Sequence, residues 1–163
     1  MKPAEVSTPT DTEVLVRRSF DAPADLVWRA YTEPALMRRW LLGPPGWSMP
    51  VCEMDVRVGG KYRWRWRSDK DGKEFGFSGE FQEVTPHSKL THTQYYDPGD
   101  LGDTMGKEGA VVTVTFDEAN GVTSVATCIR FASKEDRDAA FSTGMTDGME
   151  MSYTRLDGVL AEL

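Results

Sequence analysis

The C-terminal sequence MTDGMEMSYTRLDGVLAEL, residues 145–163, carries the clearest periodic signal in the chain. Its apolar residues recur at intervals of three or four positions, at Met145, Met149, Tyr153, Leu156, Leu160 and Leu163. Charged residues fall between them, so the spacing predicts an amphipathic helix with one wide apolar face. A helix of this length measures roughly 28 Å, and a face that wide needs a sheet to cover it. The preceding sequence is therefore expected to supply strands.

Six to seven strands are predicted before this helix. The first is expected at residues 13–20, followed by two short helices, one at 24–32 and one with Pro34 in its first turn. The other strands are expected near residues 50–58, 60–68, 74–84, 89–96, 110–117 and 122–131. Short links with turn signals such as Asn120-Gly121 favour antiparallel pairing, because a parallel pair needs a long crossover.

The sequence KYRWRWR, residues 61–67, alternates aromatic and basic side chains. Successive side chains of a strand point to opposite faces, so one face of this strand is predicted to be apolar and the other solvated. The aromatic face is expected to point toward the long helix. Arg63, Arg65 and Arg67 then form a basic strip on the outer face.

The sequence also predicts an N-terminal tail and a short helix before the C-terminal helix. Residues 1–11 are polar, contain two prolines and show no periodicity, which predicts a loose tail before a single domain at residues 12–163. Ser133, with Asp136 three positions later, predicts the start of a short helix that ends near Phe141.

Composition excludes several classes of protein. A net charge of -7 argues against a nucleic-acid partner, because phosphate binding depends on clustered Lys and Arg. The two cysteines, Cys52 and Cys128, show no CxxC spacing and are interpreted as free thiols. No apolar run approaches the length of a membrane span and no secretory leader is evident, so a cytoplasmic location is expected.

The predicted order of elements and a set of spaced residues resemble one known group of proteins. The residues are Phe20-Asp21-Ala22-Pro23, Val27-Trp28, Ala30, Thr32, Pro34, Trp40, Gly43-Pro44, Gly46, Asp55, Arg57, Gly59-Gly60, Gly79, Glu83-Val84, Pro86, Lys89-Leu90, Leu156 and Leu160. This pattern resembles the START-like SRPBCC superfamily, in the branch related to the activator of the heat-shock-protein-90 ATPase. The resemblance implies an α+β helix-grip fold, in which a curved antiparallel sheet wraps around the final helix and often encloses a cavity for an apolar or amphipathic ligand.

A set of large apolar side chains is the candidate binding site. It comprises Trp28, Tyr31, Trp40, Trp64, Trp66, Phe77, Phe81, Tyr96, Met145 and Met149. Ligand pockets are concave and mostly apolar, and methionine adapts to varied ligand shapes, so these residues are predicted to line a pocket between sheet and helix. The alternative is that they fill an ordinary core.

Three polar residues are candidates for orienting a ligand. Asp55 and Arg57 match the family pattern beside Gly59-Gly60, and they either clamp the polar end of a ligand or hold a turn. His92 either faces the pocket or has a structural or surface role, because no catalytic partner can be assigned to it from spacing.

No metal-ligand spacing appears, and neither a metal nor a cofactor is predicted. The sequence GDTMGKE, residues 102–108, is one residue too short for a phosphate-binding P-loop and lacks the Ser or Thr after lysine. Asp97, Asp100 and Asp103 are spaced by three positions, which does not fit an EF-hand calcium loop.

Three functions remain open. The first is binding of a small apolar or amphipathic molecule in the cavity. The second is a chaperone-accessory or stress-related interaction with an acidic protein through the basic strip. The third is an enzyme of the same fold acting on an apolar substrate, which we favour least because no catalytic set can be named. The chain is expected to be a monomer or a homodimer.

Overall fold

The computed structural model describes residues 2–97 and 109–163. The elements in chain order are β1 (Glu5–Ser7), β2 (Glu13–Phe20), α1 (Ala24–Thr32), α2 (Pro34–Trp40), β3 (Trp47–Met54), β4 (Lys61–Ser68), β5 (Glu74–Thr85), β6 (Lys89–Asp97), β7 (Ala110–Ala119), β8 (Val122–Arg130), α3 (Lys134–Phe141) and α4 (Met145–Ala161). The predicted α+β helix-grip class is confirmed. The P-loop-like sequence at residues 102–108 lies outside the described residues.

The strands form one antiparallel sheet in the order β1-β2-β8-β7-β6-β5-β4-β3. The described residues contain eight strands rather than the six or seven expected, because β1 lies within the predicted tail and pairs with β2. All three residues of β1 are exposed, so no burial periodicity marks them in the sequence. Backbone pairing with the edge of the sheet holds this segment in place.

Strand β4 shows most clearly which side chains face the inside of the sheet. Tyr62, Trp64 and Trp66 are buried there, while Arg63 and Arg67 are exposed, as the alternation predicts. Trp64 lies opposite Phe77 of β5, and Phe77 lies opposite Tyr96 of β6. Since directly opposed residues share a face, a continuous aromatic surface crosses three strands.

Two glycines of β5 lie within regular pairing. The register against β4 is continuous through Gly76 and Gly79. A register shift lies between Phe81 and Glu83, where β5 pairs with β6. A Cβ atom at Gly76 would lie 2.1 Å from the Trp64 carbonyl oxygen, so this glycine permits close approach of two backbones.

Helix α4 packs on the inner side of the sheet through Tyr153, Leu156, Val159 and Leu160, all of which are buried. The short helix α3 begins as predicted, because the Ser133 hydroxyl accepts a 3.1 Å hydrogen bond from the Asp136 backbone nitrogen. Within residues 2–97 and 109–163, no helix is long and apolar enough to cross a membrane.

Candidate functional site

A cavity of about 470 Å³ lies between the inner face of the sheet and helix α4. Most of its wall is aromatic or aliphatic. Nine members of the predicted aromatic and methionine set line it, as does His92: the nine are Tyr31, Trp40, Trp64, Trp66, Phe77, Phe81, Tyr96, Met145 and Met149. The volume falls within the range of about 300 to 1,000 Å³ that is typical of small-molecule sites.

Trp28 is the member of the set that lies elsewhere. Its ring packs edge-on against Phe116 of β7, at a centroid distance of 5.4 Å, and lies 6.2 Å from the ring of His87. Trp28 therefore belongs to the core beside α1 and does not line the cavity. Its helical spacing beside Tyr31 could not distinguish these two locations.

Trp47 and Phe75 also line the cavity but were not in the predicted site. Their rings lie 5.3 Å apart in an edge-on contact. Trp47 was missed because β3 begins three residues earlier than the sequence indicated. The alternation of Phe75 and Phe77 on β5 was the available signal for Phe75.

Asp55 and Arg57 lie in the turn between β3 and β4, away from the cavity. Arg57 Nε donates a 2.8 Å hydrogen bond to Asp55 Oδ2, and both side chains are more than half exposed. A Cβ atom at Gly60 would lie 2.0 Å from the Asp55 carbonyl oxygen, so the turn closes tightly on itself. The geometry corresponds to the turn-holding interpretation of this pair.

His92 is a buried polar side chain among the aromatic rings of the wall, with 4% of its surface exposed. Its Nδ1 atom lies 3.0 Å from the Thr93 carbonyl oxygen and 3.0 Å from the Tyr62 hydroxyl. Tyr62 itself donates a 2.5 Å hydrogen bond to the same carbonyl. A carbonyl oxygen only accepts, so both the tyrosine hydroxyl and Nδ1–H donate to it.

This arrangement favours the tautomer of His92 that carries its proton on Nδ1. With the proton on Nδ1, the Nε2 atom of the neutral ring is an acceptor. Burial lowers the pKa of His92 to about 4, so the ring is neutral at physiological pH. The hydrogen bonds to His92 within residues 2–97 and 109–163 all involve Nδ1, which leaves Nε2 without a protein partner among these residues.

Another polar atom of the wall also has incomplete hydrogen bonding. Trp64 Nε1 is buried and has no hydrogen-bond partner among the described residues. Burial raises the pKa of Tyr153, and the neighbouring Thr127 and Tyr31 hydroxyls lower it in part, so these two hydroxyls interact with Tyr153. An unsatisfied buried group costs about 1 to 3 kcal/mol, so Trp64 Nε1 marks a place where a ligand can add a hydrogen bond.

Three exposed residues of the lining, Pro44, Thr143 and Gly144, lie between α4 and the turn that follows α2, and we call this edge the mouth of the cavity. The Gly43 backbone nitrogen donates a 2.8 Å hydrogen bond to Ser152 Oγ, and Arg155 Nη1 donates a 2.6 Å hydrogen bond to the Gly43 carbonyl oxygen. Pro44 is exposed at this edge, and a Cβ atom added at Gly148 would lie 3.7 Å from its Cδ. Gly148 therefore provides space on the helix side of the mouth.

The basic strip on the outer face is largely neutralised by its neighbours. Arg65 and Arg67 both donate to the Glu74 carboxylate, at Nε–O distances of 3.0 Å, and Arg65 also pairs with Asp97 at 2.5 Å. Arg63 is exposed and makes no ion pair within the described part of the chain. An acidic partner would therefore have to compete with Glu74 for two of the three arginines.

Both cysteines are free thiols; Cys52 is buried and Cys128 is half-buried. Burial raises the pKa of each to about 11, so both remain protonated at physiological pH. Across residues 2–97 and 109–163 there is no group of three or more His, Cys, Asp or Glu side chains that could hold a metal ion.

Comparison with protein families gives one match that covers most of the chain. Residues 21–161 match the model described as "Activator of Hsp90 ATPase homolog 1-like protein". A search of curated proteins finds no match.

Solved structures share both the fold and the length of this chain. A crystal structure of a protein from Rhodobacter sphaeroides is 30% identical, covers 99% of this chain and 100% of its own, and superposes with a TM-score of 0.90. The Ms6760 protein from Mycobacterium smegmatis is 22% identical with a TM-score of 0.84 and covers 97% of each chain. The AHSA1-like protein from Aeromonas hydrophila is 20% identical with a TM-score of 0.70 and covers 90% of this chain and 92% of its own. The latter two show the fold alone.

Proposed function

Because this chain belongs to the family of Activator of Hsp90 ATPase homolog 1-like proteins, we propose that it is a binding module for a small apolar or amphipathic molecule. The ligand lies between the inner face of the sheet and α4. The observation that carries this proposal is the cavity of about 470 Å³ within an otherwise well-packed aromatic core. Protein interiors contain few voids larger than a water molecule, so a cavity of this size is not a packing defect.

The composition of the wall explains how binding would occur. Aromatic and aliphatic side chains remove apolar ligand surface from water, which is favourable by about 25 cal/mol per Å². Met145 and Met149 lie at the start of α4, where their flexible thioethers can adapt to the shape of the ligand. A few polar atoms in the wall, including those of His92 and Gln94, supply orientation.

A chaperone-accessory role is the alternative, and we rank it second. The family description refers to an Hsp90 activator, which supports a protein partner in general terms. The basic strip proposed for that contact carries less charge than its sequence indicates, because Glu74 engages Arg65 and Arg67.

Native mass spectrometry of the protein purified from its own host tests the binding function. We expect a discrete additional mass in the native spectrum that disappears on denaturation. The Gly148→Leu variant should lose that mass, because the added side chain enters the mouth beside Pro44.

Gly158→Leu is the matched control for this experiment. Gly158 lies on the same helix, but it does not line the cavity and a Cβ atom there meets nothing within 4 Å. The control should retain the bound mass. A bare polypeptide mass in the wild type, unchanged by added apolar and aromatic compound libraries, would contradict the proposal.

A further inference from the structure

The wall of the cavity contains no charged side chain among the described residues. Asp, Glu, Lys and Arg are all missing from its lining, although they make up 28% of the chain. Arg18 lies near enough to affect the pKa of Tyr153, but it does not line the cavity and its charge is paired with Glu150 and Asp157. A carboxylate or ammonium group inside the cavity would lose its hydration without gaining a counterion, which costs several kcal/mol.

A buried polar side chain of the wall, that of His92, presents an acceptor. Two donors, Tyr62 and His92 Nδ1–H, already converge on the Thr93 carbonyl oxygen. The proton is therefore held on Nδ1, and the lone pair of Nε2 remains for a donor that comes from outside the protein. An ether, a ketone or a hydrocarbon cannot supply that donor, whereas a hydroxyl group can.

A donor side chain of the wall, that of Trp64, lies next to His92. The ring centroids of Trp64 and His92 are 5.8 Å apart and their planes are nearly perpendicular. The Trp64 indole N–H has no acceptor among the described residues. A hydroxyl group can donate one hydrogen bond and accept others, so a single hydroxyl between these rings would serve both side chains.

The surrounding surface of the cavity favours a ligand with an aromatic ring system. Trp66, Phe75 and Phe77 present ring faces and edges at centroid distances of 5.3 to 6.3 Å from one another. Aromatic pairs gain about 0.5 to 1.5 kcal/mol beyond the burial of their area, which an alkyl chain does not obtain.

We propose that the ligand is an uncharged aromatic molecule bearing a hydroxyl group, and that this hydroxyl donates a hydrogen bond to His92 Nε2. The inference rests on the proposed function and names the ligand class of the same cavity. It separates phenols and aromatic alcohols from fatty acids and other anionic amphiphiles, which have the same apolar bulk but carry a charge. In this arrangement the Trp64 indole N–H donates a hydrogen bond to the ligand oxygen.

Four compounds with one ring system test the proposal by isothermal titration calorimetry at pH 7: 2-naphthol, 2-methoxynaphthalene, naphthalene and 2-naphthoate. We expect 2-naphthol to bind about fivefold more tightly than 2-methoxynaphthalene, since a hydrogen bond with a buried neutral acceptor contributes about 1 kcal/mol. The anion 2-naphthoate should bind most weakly of the four.

The His92→Leu variant removes the acceptor. It should bind 2-naphthol and 2-methoxynaphthalene with equal affinity. Trp64→Phe keeps an aromatic ring and should weaken 2-naphthol and 2-methoxynaphthalene alike, because both carry an acceptor oxygen. If His92→Leu fails to fold, the ranking of the four compounds on wild-type protein still decides the question.

The outcomes separate this inference from the proposed function. Equal binding of 2-naphthol and 2-methoxynaphthalene by the wild type, or tightest binding of 2-naphthoate, would overturn the hydroxyl assignment and leave a ligand-binding cavity. Binding of none of the four, together with a bare native mass, would overturn both.

Discussion

Arg18 of β2 forms a two-pronged ion pair with Asp157 of α4, with Nη1–Oδ1 at 2.6 Å and Nη2–Oδ2 at 2.9 Å. Glu150 of the same helix lies 3.3 Å from Nη2. The Arg18 side chain is only 2% exposed, and its guanidinium group lies 5.0 Å from the centre of the Phe20 ring. This pair connects the helix to the sheet with fixed geometry, because the planar guanidinium matches a carboxylate at both oxygens.

Asp157→Asn should lower the free energy of unfolding by about 2 kcal/mol. The buried arginine keeps Glu150 but loses a charged partner, and removal of one partner from a buried pair costs up to about 3 to 5 kcal/mol when no other remains. Urea unfolding followed by circular dichroism measures the change. Glu33→Gln, the same acid-to-amide change in the exposed Arg29–Glu33 pair, should cost less than about 0.5 kcal/mol. Equal effects of the two variants would contradict a structural role for the Arg18 pair.

His92 should make the stability of the protein depend on pH between about 6.5 and 4. Burial lowers its pKa to about 4 from an ordinary value of 6.5, so in this range the unfolded state binds more protons than the folded state. The contribution of the neutral His92 ring to the free energy of unfolding is fully present above pH 6.5 and is lost as the pH falls. Between pH 7 and 4.5, wild type should lose about 2 to 3 kcal/mol more than His92→Gln, since one pKa unit corresponds to about 1.4 kcal/mol.

The other histidine provides the control for this pH dependence. His87 is exposed in a turn with φ of 67°, a conformation that asparagine tolerates. His87→Asn should therefore follow the wild-type curve, as measured by urea unfolding at a series of pH values. Parallel wild-type and His92→Gln curves would show that His92 is not buried as a neutral ring.

The sequence was sufficient to predict the fold where its patterns follow from burial. The alternation in residues 61–67 identified the inner face of β4, and the spacing from Met145 to Leu160 identified α4. Ser133 marked the start of α3 through its capping side chain. In each case one local interaction or one periodicity determines the structure, so neighbours in sequence carry the information.

The candidate site was harder to predict from the sequence, because it is formed by segments that lie far apart along the chain. Helical spacing placed Trp28 and Tyr31 on one face, but only Tyr31 lines the cavity. The interaction of His92 with Tyr62 joins residues 30 positions apart and follows from the register of three strands. The ion pairs of Arg18 likewise join β2 to two carboxylates of α4 that lie more than 130 positions away in the sequence.

Gly148→Ala should raise the free energy of unfolding by about 0.5 to 1 kcal/mol. Glycine within a helix is less favourable than alanine by about that amount, and the new Cβ atom meets Pro44 Cδ at 3.7 Å, an ordinary contact distance. Gly158→Ala should give a similar gain, because its position on α4 is open. Thermal unfolding of both variants checks this. A loss of stability confined to Gly148→Ala would mean that the mouth of the cavity tolerates no added atom.

The three arginines on the outer face of β4 should differ in their effect on stability. Arg65 is 14% exposed and pairs with both Glu74 and Asp97, so Arg65→Gln should lower the free energy of unfolding by about 1 kcal/mol. Arg63→Gln, the same change two residues earlier on the same face, should stay within about 0.5 kcal/mol of wild type.

Urea unfolding of the two variants, in parallel with a pull-down of partners, separates the structural role of the strip from a recognition role. If Arg63→Gln abolishes capture of a protein while stability is unchanged, the strip binds a partner, and the chaperone-accessory alternative gains support. If only Arg65→Gln reduces capture, in proportion to its loss of stability, the outer arginines hold β4, β5 and β6 together. Equal stability of both variants would contradict the ion-pair assignment for Arg65.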